Sequence, residues 1–202
     1  GGFAMWSAKL EALDALAALP RPGSDGISGG AGGALNAIKE CACDVSEDIR
    51  VRVAAVQALA TWQNNHAPRS STDGDDERSP HTSWAGSTAL RSFFKSEWFV
   101  DGDKDTPLAN AALFARDASQ LSHVELKKAT ACAIGRVRAG DGYALVEDAR
   151  FLLNVLKNND NTGSAKRDDY LHAALIDAVA SAAAHLRSRR AARRGRAESC
   201  AS

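Results

Sequence analysis

The side chains able to hold a metal or attack a substrate are few: four cysteines and five histidines in 202 residues. Cys41 and Cys43 stand two apart, closer than the paired spacing of a zinc ribbon, and Cys132 and Cys200 follow far downstream without a partner beside them. His66 and His81 fall in a polar stretch, and His123 opens a helical segment with Glu125 as its only acidic neighbour. His172 and His185 share one segment at a spacing that does not make a metal pair. No His-Glu-x-x-His, Gly-x-Ser-x-Gly or Gly-x-x-x-x-Gly-Lys occurs. Gly29-Gly30-Ala31-Gly32-Gly33 lacks the Lys-Ser/Thr that grips a phosphate and any strand before it, so it reads as a connector. Cys132, among Ala and Ile, reads as a small core residue. The expectation is a chain that is not an enzyme, with no catalytic residue, no cofactor, no metal and no small-molecule substrate.

Charge supplies one further feature. Arg187, Arg189, Arg190, Arg193, Arg194 and Arg196 form a basic run after the last expected helix, with Lys127, Lys128, Arg136 and Arg138 as further cations toward that end. The run reads either as a solvated, frayed terminus or as a phosphate contact or nuclear-import signal. No aromatics interleave with it, so a contact would be independent of base sequence. Formal net charge is zero, from 25 basic and 25 acidic residues, so no whole-molecule field draws in nucleic acid.

The elements that must position these groups are helices. Hydrophobic content of 45% excludes wholesale disorder, and aromatics at 6% with abundant Ala and Leu argue against a sandwich or barrel. No run approaches the ~18 apolar residues of a membrane span. Without a signal-peptide pattern or paired cysteines, a reducing compartment is expected. The start Gly1-Gly2-Phe3, without Met, suggests a piece of something larger.

The first helical segment, Phe3 to Leu19, carries Leu10, Leu13, Leu16 and Leu19, and Pro20 and Pro22 stop it. Helices follow at about 34–42 and from after Ser46 to Trp62, the second with Glu47 and Asp48 at its amino end. Asn64 to Ser83 is polar and proline-punctuated, and reads as a surface loop in which Ser79-Pro80 is a phosphorylation candidate. Later helices are expected at 84–99, 111–120, 124–138, 145–156 and 168–186. The layout reads as an all-α solenoid of HEAT/ARM-like pairs, degenerate and interrupted by loops. Its parts are amino-terminal helices over 1–62 with a Gly-rich connector at 20–33, a polar acidic loop at 63–83, carboxy-terminal helices over 84–186 and a basic tail at 187–202. The expected core is Leu10, Leu13, Ile49, Val53, Leu59, Phe93, Ile134, Phe151, Leu152, Leu156, Leu175 and Ile176.

Two segments are more specific. Asp48-Ile49-Arg50-Val51-Arg52-Val53-Ala54-Ala55 has the acid–Arg–Val/Ala character of a HEAT second helix. The block Leu156-Lys157-Asn158-Asn159-Asp160-Asn161, a polar spacer, then Asp168-Asp169-Tyr170 with Ala173, Leu175 and Ile176, suits a loop that caps one helix and starts the packed face of the next. This block, with Phe93-Phe94 and Phe99-Val100-Asp101-Gly102 before it, resembles the carboxy-terminal helical-repeat region of the TFIID subunit 2 family. These are TATA-box-binding-protein-associated factors with an M1-aminopeptidase-like fold. The resemblance is closest over Trp84 to Ala184 and departs at Leu171, where the family has a second Tyr.

It implies a nuclear, non-catalytic scaffold that docks other TFIID subunits and supports engagement of core-promoter DNA, with no catalytic residues to carry over. Two alternatives share the helical layout. One is the carboxy-terminal domain of a genuine M1 zinc aminopeptidase, whose His-Glu-x-x-His would lie upstream. The other is a generic HEAT-type adaptor.

Overall fold

Among the described residues each helix closes its apolar side onto a neighbouring helix. The computed structural model describes residues 2–20, 29–67, 84–99, 121–140, 142–159 and 169–199. Its helices are α1 (Gly2–Ala18), α2 (Gly29–Cys43), α3 (Ile49–His66), α4 (Ala85–Trp98), α5 (Leu121–Arg136), α6 (Val146–Asn158) and α7 (Asp169–Ser199), with no strand among the described residues. α1, α3, α5 and α7 pack side by side in chain order as one layer. α2, α4 and α6 form the other, each lying against the two odd-numbered helices that flank it in sequence. This is the two-layer stacking of a helical-repeat solenoid. The helix expected at 111–120, and most of the 63–83 loop, lie outside the described residues.

Leu13, Leu59, Phe93, Ile134, Phe151, Leu152 and Leu175 are buried as expected, and Leu10, Ile49, Val53 and Leu156 are half-buried. Ile176 is a correction, at 48% exposed. Successive residues on a helix point about 100° apart, and α7 turns Leu171, Leu175, Ala178 and Ala182 inward, which carries Ile176 outward. Tyr170 (77% exposed) and Ala173 follow Ile176 out and do not begin the packed face. α4 supplies the aromatic mass of the core. Phe94 meets Trp98 and Phe151 edge-on, at centroid distances of 4.8 and 5.6 Å.

Three helix ends also depart from expectation. α2 starts at Gly29, so the last glycines of the connector are helical. Once Ala34, Leu35, Ile38 and Ala42 are anchored in the core, each added turn needs only propagation, which tolerates glycine. α7 continues to Ser199 instead of ending at 186, because Ala and Arg are strong helix formers. Its residues 187–199 are therefore helical in backbone and not a separate tail. α3 continues past Trp62 to His66.

The end of α3 explains its own length, because its polar side chains serve other helices. Fully buried Gln63 accepts, at Oε1, hydrogen bonds from the Gly86 and Ser87 amides (2.8 and 3.2 Å). Those are free amides of the first turn of α4, whose N-cap residue Trp84 makes no side-chain cap. Asn64 Nδ2 donates to the Arg136 carbonyl at 3.2 Å and its Oδ1 accepts from the Arg138 amide at 2.7 Å, closing the end of α5. Asn65 Nδ2 donates to the Ala17 carbonyl in the last turn of α1 at 2.9 Å. His66 Nδ1 lies 2.8 Å from the Trp62 carbonyl, with its ring stacked on the indole. At the other end, Asp48 is the N-cap of α3 and takes the Arg50 amide at 2.9 Å.

Two glycines mark where helices touch. A Cβ on Gly86 would stand 2.9 Å from Gln63 Cβ, and one on Gly135 would stand 2.8 Å from the Ala178 Cα and carbonyl oxygen. Gly32 and Gly33 have nothing within 4 Å.

Gly32→Ala and Gly33→Ala are each expected to stabilise by about 0.5–1 kcal/mol, and Gly135→Ala to destabilise by about 1–3 kcal/mol. Denaturant unfolding measures all three, and equal signs at Gly33 and Gly135 would contradict the α5–α7 contact. Gly86 and Ser87 lose a shared acceptor in Gln63→Leu, expected to cost about 1–3 kcal/mol by the same measurement; a neutral result would remove Gln63 from that role. Asp48 is held down to about 2 by the Arg50 side chain first and the Arg50 amide second. A carboxyl lowered on folding contributes stability above its unfolded value and loses it as pH falls through its folded one. The melting-temperature gap between wild type and Asp48→Ala is therefore expected at pH 7 and should close between about pH 4 and about pH 2. A gap that persists at the acid end refutes it.

Candidate functional site

Two buried charges pin helices to one another, Arg52 across the two layers and Asp148 within one of them. Arg52, 3% exposed, donates from Nε to the Ala42 carbonyl at 2.9 Å and reaches Glu97 at 3.6 Å, so one α3 residue joins α2 to α4. Asp148, 1% exposed in the first turn of α6, accepts from the Ser87 hydroxyl at 2.7 and 2.9 Å on its two oxygens and pairs with Arg91. Burial pushes its carboxyl up, against the downward pull of Arg91 and Ser87. Asp148 is satisfied within the fold, whereas the buried Arg52 Nη2 has the Glu97 ion pair but no hydrogen bond among the described residues; both face neighbouring helices, which makes them structural pins.

A cleft of about 450 Å³ opens between α1, α3 and α5. Asp14 comes from α1, Gln57 and Thr61 from α3, and Lys128, Cys132 and Arg136 from α5. The α5 residues recur every four positions, which places them on one helical face. Lys128 pairs with Glu125 at 3.8 Å, both open to solvent, and Arg136 has no carboxylate partner among the described residues. The Cys132 thiol is pushed up by burial against the pull of Arg136 and Lys128, as burial also pushes up Cys41 and Cys43. The thiolate that attacks or ligates is thus disfavoured at all three.

Of the residues singled out in the sequence, Asn158 is the last of α6 and Asn159 is its C-cap, and Asp169 opens α7. Asp160 and Asn161 lie outside the described residues. Arg187, Arg189, Arg190, Arg193, Arg194 and Arg196 all lie on the helical backbone of α7. Two of the cations expected to support them do not form a free patch. Lys127 is buried at 8% exposure. The Arg138 guanidinium donates to the Gly135 and Val137 carbonyls at 2.6 and 2.8 Å and to the Ser181 hydroxyl at 2.7 Å. It closes the end of α5 and ties it to α7.

His66 is helical and buried, not part of the loop. Among the described residues no three His, Cys, Asp or Glu side chains converge as a metal site, and no helix is long and apolar enough to cross a membrane. Gln63, Asn64 and Asn65 were missed as positioning residues because their polarity reads as loop. The signal available was the lack of any Pro or Gly between Trp62 and Pro68.

Comparison with known families fits this geometry. The family described as "TAF2-like, TPR repeats" matches residues 31–199, which spans α2 from its third residue through α7 and includes the block that carried the resemblance. α1 precedes the matched region. Among curated proteins none matches significantly. The family's repeats are described as TPR where the sequence suggested HEAT; both are stacks of helix pairs, the architecture seen in the two layers. Matched over more than four-fifths of its length, the chain belongs to the TAF2-like family of TPR-repeat proteins.

Proposed function

We propose that this chain is a non-catalytic scaffold segment of the general transcription factor TFIID, acting in the nucleus to dock other subunits at the promoter. The family match over a two-layer helical array is the observation that carries the reading. Repeat arrays work by presenting an extended face while their inner stripe holds the stack together. Three buried polar groups are spent on that stack: Gln63 on the start of α4, Arg52 on a pin between the layers and Asp148 on a pin between α4 and α6. A protein whose buried polar chemistry goes into rigidity suits the holding of partners.

Support for core-promoter DNA is a second part of the proposal. Arg187, Arg189, Arg190, Arg193, Arg194 and Arg196 are its phosphate-contacting residues, carried on the last helix. With zero net charge over the whole chain, the isolated protein should bind DNA weakly and lose it as salt rises.

Affinity capture from nuclear extract is expected to retain TFIID subunits, and their absence would remove the scaffold reading. Replacing the six arginines with glutamine should lower the slope of log affinity against log salt by about 0.9 for each phosphate that is no longer neutralised. Circular dichroism should show the same helical content. An unchanged slope would separate the arginines from DNA and leave protein docking alone.

A further inference from the structure

The cleft between α1, α3 and α5 has walls of different net charge. Lys128 and Arg136 stand on the α5 wall with Cys132 between them and Glu125 beyond Lys128 at one end, and Asp14 stands on the α1 side with the Gln57 carboxamide and Thr61 hydroxyl beside it on α3. Among the described residues Lys128 has only the exposed Glu125 at 3.8 Å as partner, a pairing worth little in water, and no carboxylate pairs with Arg136. Unlike Arg52, Arg91 and Arg138, these two cations are not used by the fold.

Their spacing measures an occupant. Eight residues of α-helix separate Lys128 from Arg136, a rise of about 12 Å. An extended chain covers that distance in about four residues, and residues i and i+4 of such a chain point to the same side. The residues at i+1 and i+3 point the opposite way, toward the wall that carries Asp14.

We propose that this cleft binds an extended peptide whose carboxylates, four residues apart, meet Lys128 and Arg136 while a basic residue between them meets Asp14. The inference deepens the scaffold reading and rests on it, since it names the surface by which one partner segment would dock. Charge-assisted hydrogen bonds at the two ends fix the register, and the Gln57 side chain offers a donor and an acceptor to the peptide backbone. A uniformly acidic segment fits less well because its intervening carboxylates would face Asp14.

Fluorescence anisotropy on the intact chain tests this with a labelled peptide carrying Glu at i and i+4 and Lys at i+1 and i+3. A scramble of the same composition with the two glutamates adjacent is the control. The patterned peptide is expected to bind about tenfold more tightly than the scramble, and Lys128→Glu with Arg136→Glu to weaken it about tenfold or more. Both substituted side chains reach solvent, so the melting temperature should stay near that of wild type. Bound peptide should also slow alkylation of Cys132, read by mass spectrometry, and leave the rate at Cys43 unchanged. Equal binding of the scramble, full binding by the charge-reversed variant or no saturable binding would each overturn the proposal. Displacement by a DNA duplex, with none by unlabelled peptide, would overturn it as well. Capture of TFIID subunits by wild type and variant alike, without peptide binding, would sink the cleft and leave the scaffold standing.

Discussion

Helix ends are the constraint on which this array depends. Each α-helix leaves amides free at its start and carbonyls free at its end, and stacking helices in two layers brings those ends against protein as well as water. The last turn of α3 answers for three neighbours at once: Gln63 for the start of α4, Asn64 for the end of α5 and Asn65 for the end of α1. A carboxamide suits this work because it donates and accepts without carrying charge into the interior. Asn64 does both, giving one hydrogen bond to the Arg136 carbonyl and taking one from the Arg138 amide. α3 is accordingly the helix that touches α1, α2, α4 and α5.

Around that hub, close approach and buried charge set the spacing. Glycine at 86 and 135 lets α4 meet α3 and lets α7 meet α5 at distances a methyl group would prevent. Arg52 and Asp148 then lock the second layer in place, one by closing the carbonyl end of α2 and the other by joining the starts of α4 and α6. A buried ionic group is weak evidence of net stability, since a well-packed apolar replacement can be as stable, but removing one partner alone is costly. Close packing fixes how near the helices lie, and the charges fix which residues face each other.

Much of this was legible in the sequence, for a physical reason. A period of 3.6 residues survives in any amphipathic helix, so the all-α class and most of the core could be read before any packing was known. Proline and the acid at Asp48 marked ends that proved real. What could not be read depends on partners remote in sequence. Polar Gln63 and Asn65 look like loop until the ends of α4 and α1 arrive beside them. Ile176 and Leu175 look alike until α5 chooses which of them to cover. The spare or committed state of Lys128, Arg136 and Arg138 is likewise set by neighbours and not by residue type.

The reach of the α3 caps bears on how the chain can be cut and how it assembles. Asn64 bonds residues 72 and 74 positions away, and Asn65 one 48 positions away. Bonds of that span cannot form until separate stretches of chain have met, which raises the contact order above that of an array whose neighbours touch only locally. α1 lies outside the region matched by the family, yet its Leu13 and Ala17 are buried in the common core and its last turn takes the Asn65 amide. A boundary drawn at residue 31 would bare an apolar strip on α3 and leave that amide without its acceptor. The cooperative unit is therefore longer than the family boundary implies, and α1 belongs to it.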